Sequence, residues 1–311
     1  MSIASGAAAT TEQVTPDQIL HRLDWHVIRR LDGLLQGDYR TLFYGQGVDF
    51  ADLREYQPGD DIRHIDWNVT ARMEIPHVRQ YLADREITAW FLLDLSPSMA
   101  FGAVDRQKRL VLVDFVTTLT RLLTRNGNRV GAILYGNRTE LTIPPHGGRT
   151  QVLRIANELL KRQTPPADVM TNLSPLLETA LGTLQRRSQV FLISDFISEP
   201  GWERPLHLLN RRHDVVAIRL WDPREMELPD VGLIIMEDAE TGEQLYVDTS
   251  DRSFRRRFAA AAQARESMMQ EAFRRAGVDL LALSTEEDLV RAIVRFVSLR
   301  QRRSAAARSR V

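Results

Sequence analysis

The sequence predicts an α/β protein, with a mostly parallel sheet carrying helices on both faces and an appended N-terminal subdomain. Three observations carry this reading. From residue 87 onward, short apolar runs alternate with stretches of helical periodicity, the order that builds a parallel sheet with helical crossovers. Two of those runs, 87–93 and 190–193, are nearly uninterrupted apolar stretches of strand length and read as strands buried on both faces. Both stop in acids and hydroxyls, at Asp94 and at Ser194-Asp195, and parallel strands deliver such ends to one rim of a sheet.

Composition narrows the function classes. The 311 residues suffice for one large or two ordinary domains, and 43% hydrophobic with 26% charged residues is ordinary for a globular chain. Lys+Arg and Asp+Glu both number 41, so no net field recruits nucleic acid or a membrane surface. The absence of cysteine excludes disulfides, thiolate metal sites and cysteine nucleophiles, and it fits a reducing, cytoplasmic setting. No apolar run approaches the roughly 18 residues of a membrane span. Residues 1–15 lack the basic start and apolar core of a secretory signal, and their small side chains predict a disordered tail.

The elements follow in order. Residues 16–36 place Ile19, Leu20, Leu23, Val27, Leu31, Leu34 and Leu35 at helical spacing, with Gly37 as the stop. A dense segment, 47–67, comes next. Pro58-Gly59 reads there as a type II turn, and Asp60 or Asp61 as the cap of a short helical turn holding Ile62, Ile65 and Trp67. Phe50, Tyr56 and Trp67 are expected to anchor it on the main domain, while Arg54, Asp60, Asp61, Arg63 and Asp66 pair among themselves or serve a partner. Residues 77–82 alternate as a strand should. With 16–67 they make the subdomain, 16–85, ahead of a main domain spanning 86–302 and a basic tail, 303–311.

After the strand at 87–93, Leu112, Phe115, Val116, Leu119, Leu122 and Leu123 mark a helix that Asn126-Gly127 ends. Runs 130–135 and 138–143 flank Gly136-Asn137, a hairpin pattern, and Pro144-Pro145 with Gly147-Gly148 read as a loop. Residues 152–160 form a helix. Ser174 and Pro175 read as the cap and first position of another, with Leu173, Leu176, Leu177, Ala180, Leu181 and Leu184 on its buried stripe. The strand at 190–193, a helix at 205–212 and a strand at 215–220 follow. A hairpin joins 233–236 to 244–247. A long helix, 254–275, stops at Gly277, and a last strand, 278–283, precedes a helix that Ser284 or Thr285 caps and that reaches about residue 300.

The rim carries the candidate chemistry. Asp94, Ser96 and Ser98 stand at alternate positions past one strand, Asp195 past another, and Thr171 just before the helix between them. Carboxylate and hydroxyl oxygens are hard ligands and suit Mg²⁺ or Mn²⁺. Two carboxylates neutralise one such ion, and a partner's Asp or Glu can take a position that water would otherwise fill. Hydrolytic metal sites usually hold more acids and a general base or a second metal, so binding without catalysis is expected. The alternative is a Mg²⁺-dependent nuclease or phosphatase on the same sheet. A third class, nucleic-acid binding through Arg255-Arg256-Arg257 and the acid-free stretch 299–311, is better read as a solvated helix face and a helix end.

Asp-x-Ser-x-Ser after a strand, Thr171-Asn172-Leu173 before a helix and Ser194-Asp195 after another strand resemble the metal-ion-dependent adhesion site of von Willebrand factor A domains. The segment Arg54-Glu55-Tyr56-Gln57-Pro58-Gly59-Asp60-Asp61-Ile62-Arg63-His64-Ile65-Asp66-Trp67 is similar to the signature of the domain-of-unknown-function 58 family. The resemblance implies a von Willebrand A-like domain with a divalent cation on Asp94, Ser96, Ser98, Thr171 and Asp195. It also implies partnership with a MoxR-type AAA+ ATPase in maturing or remodelling a protein client.

Overall fold

The computed structural model describes residues 31, 52–57, 60, 62, 65–73, 75–80, 86–103, 106–162, 170–238 and 241–308. A six-stranded sheet organises them. Its strands in chain order are β3 (Thr88–Asp94), β6 (Arg129–Gly136), β7 (Arg138–His146), β8 (Gln189–Ser194), β9 (Asp214–Trp221) and β12 (Asp279–Ser284). In space they run β12-β9-β8-β3-β6-β7, and every pair is parallel except β6 with β7. This is the α/β arrangement, a mostly parallel sheet with helices on both faces, that the sequence predicts.

The sheet is central because its strands are apolar on both faces. In β3, Ala89, Phe91 and Leu93 enter one core and Trp90 and Leu92 the other. The first core is closed by α2 (Lys108–Arg125), α3 (Gly148–Lys161) and α7 (Leu289–Arg308). The second is closed by α4 (Ser174–Thr183), α5 (Glu203–Arg212) and α6 (Arg252–Ala276). Each helix offers an apolar stripe at a period near 3.6, so three helices suffice to seal a face. Across the sheet, Phe91 and Phe191 stack with ring centres 5.2 Å apart. Arg300 of α7 pins the start of two strands, bonding Asp214 at 3.0 Å and Asp279 at 2.9 Å. No helix among the described residues is long and apolar enough to cross a membrane.

Several local expectations are corrected. Pro144-Pro145 lies inside β7, not in a loop, because β7 is an edge strand, with no outer neighbour among the described residues to need its N–H groups. The helix at 174–183 is preceded by Asn172, whose side-chain oxygen accepts from the Ser174 N–H at 2.9 Å, so Ser174 is not the cap. Neither Ser284 nor Thr285 caps the last helix. Asp288 does, accepting from the Arg291 N–H at 3.0 Å, and the helix runs on to Arg308. Between β3 and α2, two short strands escape periodicity, β4 (Gly102–Ala103) and β5 (Arg106–Gln107). The hairpin of β10 (Leu233–Glu237) and β11 (Gln244–Asp248) forms as expected.

In the N-terminal part, β1 (Asp52–Glu55) pairs antiparallel with β2 (His77–Gln80), beside α1 (Trp67–Met73). Trp67 is 69% exposed, contrary to the expectation that it anchors the segment. Asp66 and Thr70 occupy the side of α1 that meets β2: the Asp66 N–H donates to His77 O at 2.8 Å, and the His77 N–H to Thr70 Oγ1 at 3.0 Å. Trp67, 100° further round the helix, points outward. Ile62 is exposed as well, and Tyr56 is half-buried. Asp66 caps α1 through its carboxylate, at 3.3 Å from the Val69 N–H. The Asp60 carboxylate accepts from the Gln57 N–H at 2.8 Å. Asp61, Arg63, Phe50, Pro58-Gly59, the Arg54 side chain and the 1–15 tail lie outside the described residues. Of the helix expected over 16–36, Leu31 is described: it is helical and fully buried in the first core.

Candidate functional site

In order of appearance the six strands lie 3-2-1-4-5-6. Successive strands step outward one way from β3 and then the other way from β8. The crevice beyond the carboxyl ends of β3 and β8 is therefore the switch point at which such sheets bind ligands. Asp94 is the last residue of β3, Ser194 the last of β8, and Asp195 follows it.

All five residues expected to hold a cation are buried here: Asp94, Ser96, Ser98, Thr171 and Asp195. Asp94 Oδ1 accepts from the Ser96 N–H at 2.9 Å, and the Ser96 and Ser98 hydroxyls touch at 3.0 Å. Pro97 opens a single 3-10 turn, 97–100, which folds Ser98 back beside Ser96. Asp94 Oδ2 accepts from the Ser194 hydroxyl at 2.5 Å, tying the two strand ends together. Thr171 reaches the same rim by its backbone. Its carbonyl accepts from the Glu199 N–H at 2.8 Å, and the Tyr135 hydroxyl donates to Asn172 O at 2.6 Å. Tyr135 itself stands opposite Asp94 in the β3–β6 register.

The turn after β8 is strained and well braced. Phe196 has φ of 58°, an unfavourable region for a side chain this large. Its N–H donates to Ser194 Oγ at 2.8 Å, and its ring packs edge-on to Phe273 at 4.8 Å and against Trp202 at 5.6 Å. That turn aims Asp195 Oδ1 at the Ile197 N–H, 3.0 Å away, while Oδ2 accepts from Lys108 Nζ at 2.5 Å.

The charges do not balance on the carboxylates alone. Burial, and then repulsion from Asp195, raise the Asp94 carboxyl from 3.8 to about 7, against hydrogen bonds from Ser194 and Ser96 that favour its ionised form. Burial and Asp94 also push the Tyr135 hydroxyl up. Two buried acids that resist joint ionisation suit a cation. The donor set holds oxygen alone, with no sulfur or imidazole, and that chemistry fits a hard divalent ion.

The sequence reading missed several residues that complete the site. Lys108, fully buried, donates to Asp195 Oδ2 and Glu225 Oε1, each at 2.5 Å. It continues the stripe of Leu112, Phe115, Leu119 and Leu122 back by one turn, so its burial was legible from spacing. Ser194 was noted as a strand end but given no role. Asp222, also buried, accepts from the Thr285 hydroxyl at 2.7 Å, which explains why Thr285 is unavailable as a helix cap. Among the described residues no three His, Cys, Asp or Glu side chains cluster as a metal site. The candidate site rests on two acids and hydroxyls.

Comparisons with known proteins give one family match and no activity for it. Residues 52–268 match the model described as protein of unknown function DUF58. An uncharacterized protein of Mycobacterium tuberculosis is 38% identical over 287 residues, covering 92% of this chain and 90% of its own. An uncharacterized Mycobacterium avium protein is 34% identical over 166 residues, which is 53% of this chain and 98% of its own. Among solved structures, BatB from Bacteroides thetaiotaomicron aligns at 15% identity and TM-score 0.47, covering 70% of this chain and 99% of its own. The SpRpn10 VWA domain aligns at 11% identity and TM-score 0.37, covering 67% and 94%. By the family match and the full-length mycobacterial relative, the chain belongs to the DUF58 family of proteins of unknown function.

Proposed function

We propose that this chain is a cation-dependent protein-interaction module that captures a carboxylate of a partner protein. Asp94, Ser96, Ser98, Thr171 and Asp195 are the residues that would hold Mg²⁺ or Mn²⁺. The observation that carries the reading is the buried, oxygen-lined switch point, where burial and then Asp195 push the Asp94 carboxyl up to about 7. When bound, the ion supplies a Lewis-acidic position for an anionic ligand. The protein's own part is orientation. Ser194 and the Ser96 N–H fix the Asp94 carboxylate, the 3-10 turn fixes the two serines, and the braced turn at Phe196 fixes Asp195.

The family resemblance supports a MoxR-type AAA+ ATPase as the partner, with the complex maturing or remodelling a further protein. Isothermal titration of Mn²⁺ into the wild type and Asp94→Ala tests the site. Binding by the wild type, lost in the variant, is expected. Equal binding by both would remove the assignment. For the partner, co-purification with a MoxR-type ATPase of the same organism should be lost in Asp94→Ala and weakened in Ser96→Ala. Point variants are the cleaner test there, because chelators would also strip the Mg²⁺ that an ATPase needs. Turnover of phosphate esters or nucleic acid by the purified chain, abolished by Asp195→Ala, would overturn the binding reading in favour of an enzyme.

A further inference from the structure

Lys108 is the residue at this rim that the proposed function leaves unused. It opens α2, its side chain is fully buried, and its Nζ bridges Asp195 Oδ2 and Glu225 Oε1. The Phe101 ring lies over it, 5.8 Å from Nζ to the ring centre. Its backbone is pinned too, the Lys108 N–H donating to Phe101 O at 3.0 Å. Glu225 is held from behind. It belongs to the turn Pro223–Glu225, and its Oε2 accepts from the Asp222 N–H at 3.2 Å. Buried between two carboxylate oxygens at 2.5 Å each, the ammonium is a fixed part of the site.

Its consequence is a matter of counting. Asp94, Asp195 and Glu225 set three carboxylates against the Lys108 ammonium; the nearby Arg219 is paired with Glu266, so with every group charged the balance equals the charge of a single divalent ion. Removing the ammonium would leave the rim more negative by one. Removing Glu225 would leave it less negative by one. We infer that Lys108 is a tethered counter-ion whose fixed charge, set against Glu225, tunes how tightly the rim holds a divalent cation. Lys108 competes for Asp195 Oδ2 and repels an incoming ion, so the cation is held weakly enough to be offered to a partner. A site three charges negative would bury the cation's charge fully and repel an incoming carboxylate.

The inference rests on the proposed cation site, and the test separates the two. Mn²⁺ alone is titrated at pH 8 into the wild type, Asp94→Ala, Lys108→Met, Lys108→Arg and Glu225→Gln, with circular-dichroism melts to confirm folding. Lys108→Met should bind more tightly than the wild type by on the order of tenfold, the effect of one unit charge on a divalent ion even at high dielectric. Glu225→Gln should bind more weakly by a similar factor, and Lys108→Arg should match the wild type. These opposite signs are what a packing role would not give, since damage to the rim weakens binding in both variants. If Lys108→Met fails to fold, Lys108→Gln takes its place with the same expected sign, tighter than the wild type. Mn²⁺ binding that depends on Asp94 but is unchanged in Lys108→Met and Glu225→Gln would overturn the inference and leave the site standing. Binding that no variant alters, or none by any protein in the set, would overturn both.

Discussion

Replacing Asp94 with asparagine removes a buried charge and leaves the size of the side chain nearly unchanged. The Asp94 carboxyl is raised from 3.8 to about 7, by burial first and by Asp195 second. A carboxyl raised in this way binds its proton more tightly in the folded than in the unfolded chain. Stability is therefore highest below pH 3.8 as far as this group is concerned, and it falls as the pH rises through about 7. At about 1.36 kcal/mol per unit, the loss reaches the order of 4 kcal/mol by pH 8. Asparagine carries no charge at either pH. Its oxygen can still accept from the Ser96 N–H, and its amide can donate to the Ser194 hydroxyl, which has a second lone pair beyond the one Phe196 uses. Exchanging these bonds costs about 1 kcal/mol. Urea denaturation in EDTA should find Asp94→Asn more stable than the wild type by roughly 2–4 kcal/mol at pH 8, and no more stable at pH 4. A difference that does not change between those two pH values would refute the reasoning, as would a variant less stable at pH 8. Under the proposed function, adding Mg²⁺ at pH 8 stabilises the wild type and leaves the variant where it was.

Other outcomes follow from packing. Trp67→Ala should change the unfolding free energy by less than about 0.5 kcal/mol, since the ring is mostly in solvent; a melting temperature lowered by several degrees would show that it has a partner within the chain. Gly131→Ala should destabilise by about 1–3 kcal/mol, because no room exists for the added carbon. A Cβ there would meet the Trp90 ring at 2.9 Å and the Ile143 carbonyl at 3.0 Å, and an unchanged denaturation midpoint would mean that β3, β6 and β7 adjust more freely than their burial suggests.

The sheet and its rim were legible because the signals are local. A parallel strand buried on both faces is a short apolar run, and β3 and β8 each advertise their carboxyl end with an acid. Helix stripes were equally plain, and α2, α4 and α6 fall where their leucines and alanines place them. What escaped was decided by tertiary contact. Lys108 meets Glu225 across 117 positions, and nothing near either residue announces the other. Thr285 looks like a helix cap until Asp222, 63 positions away, claims its hydroxyl. Trp67 reads as an anchor on composition, yet its place on α1 is set by how Asp66 and Thr70 bond to the β2 backbone. The strands of β4 and β5 hold two residues each, too few for any periodicity to register.

The position of β3 at the switch point also orders events as the chain is made. β6 follows it closely and covers one edge, but the other edge waits for β8, and the Ser194–Asp94 bond spans 100 residues. At the roughly 5–20 residues per second of synthesis, that edge of the strand stays open for about 5–20 s on the ribosome. An apolar strand with one bare edge is a template for pairing with a neighbouring chain. A nascent-chain holdase that engages before β8 emerges is thus expected to matter more for this protein's yield than one acting after release. Slowing translation between α4 and β8 should lower the soluble fraction without altering the protein that does fold.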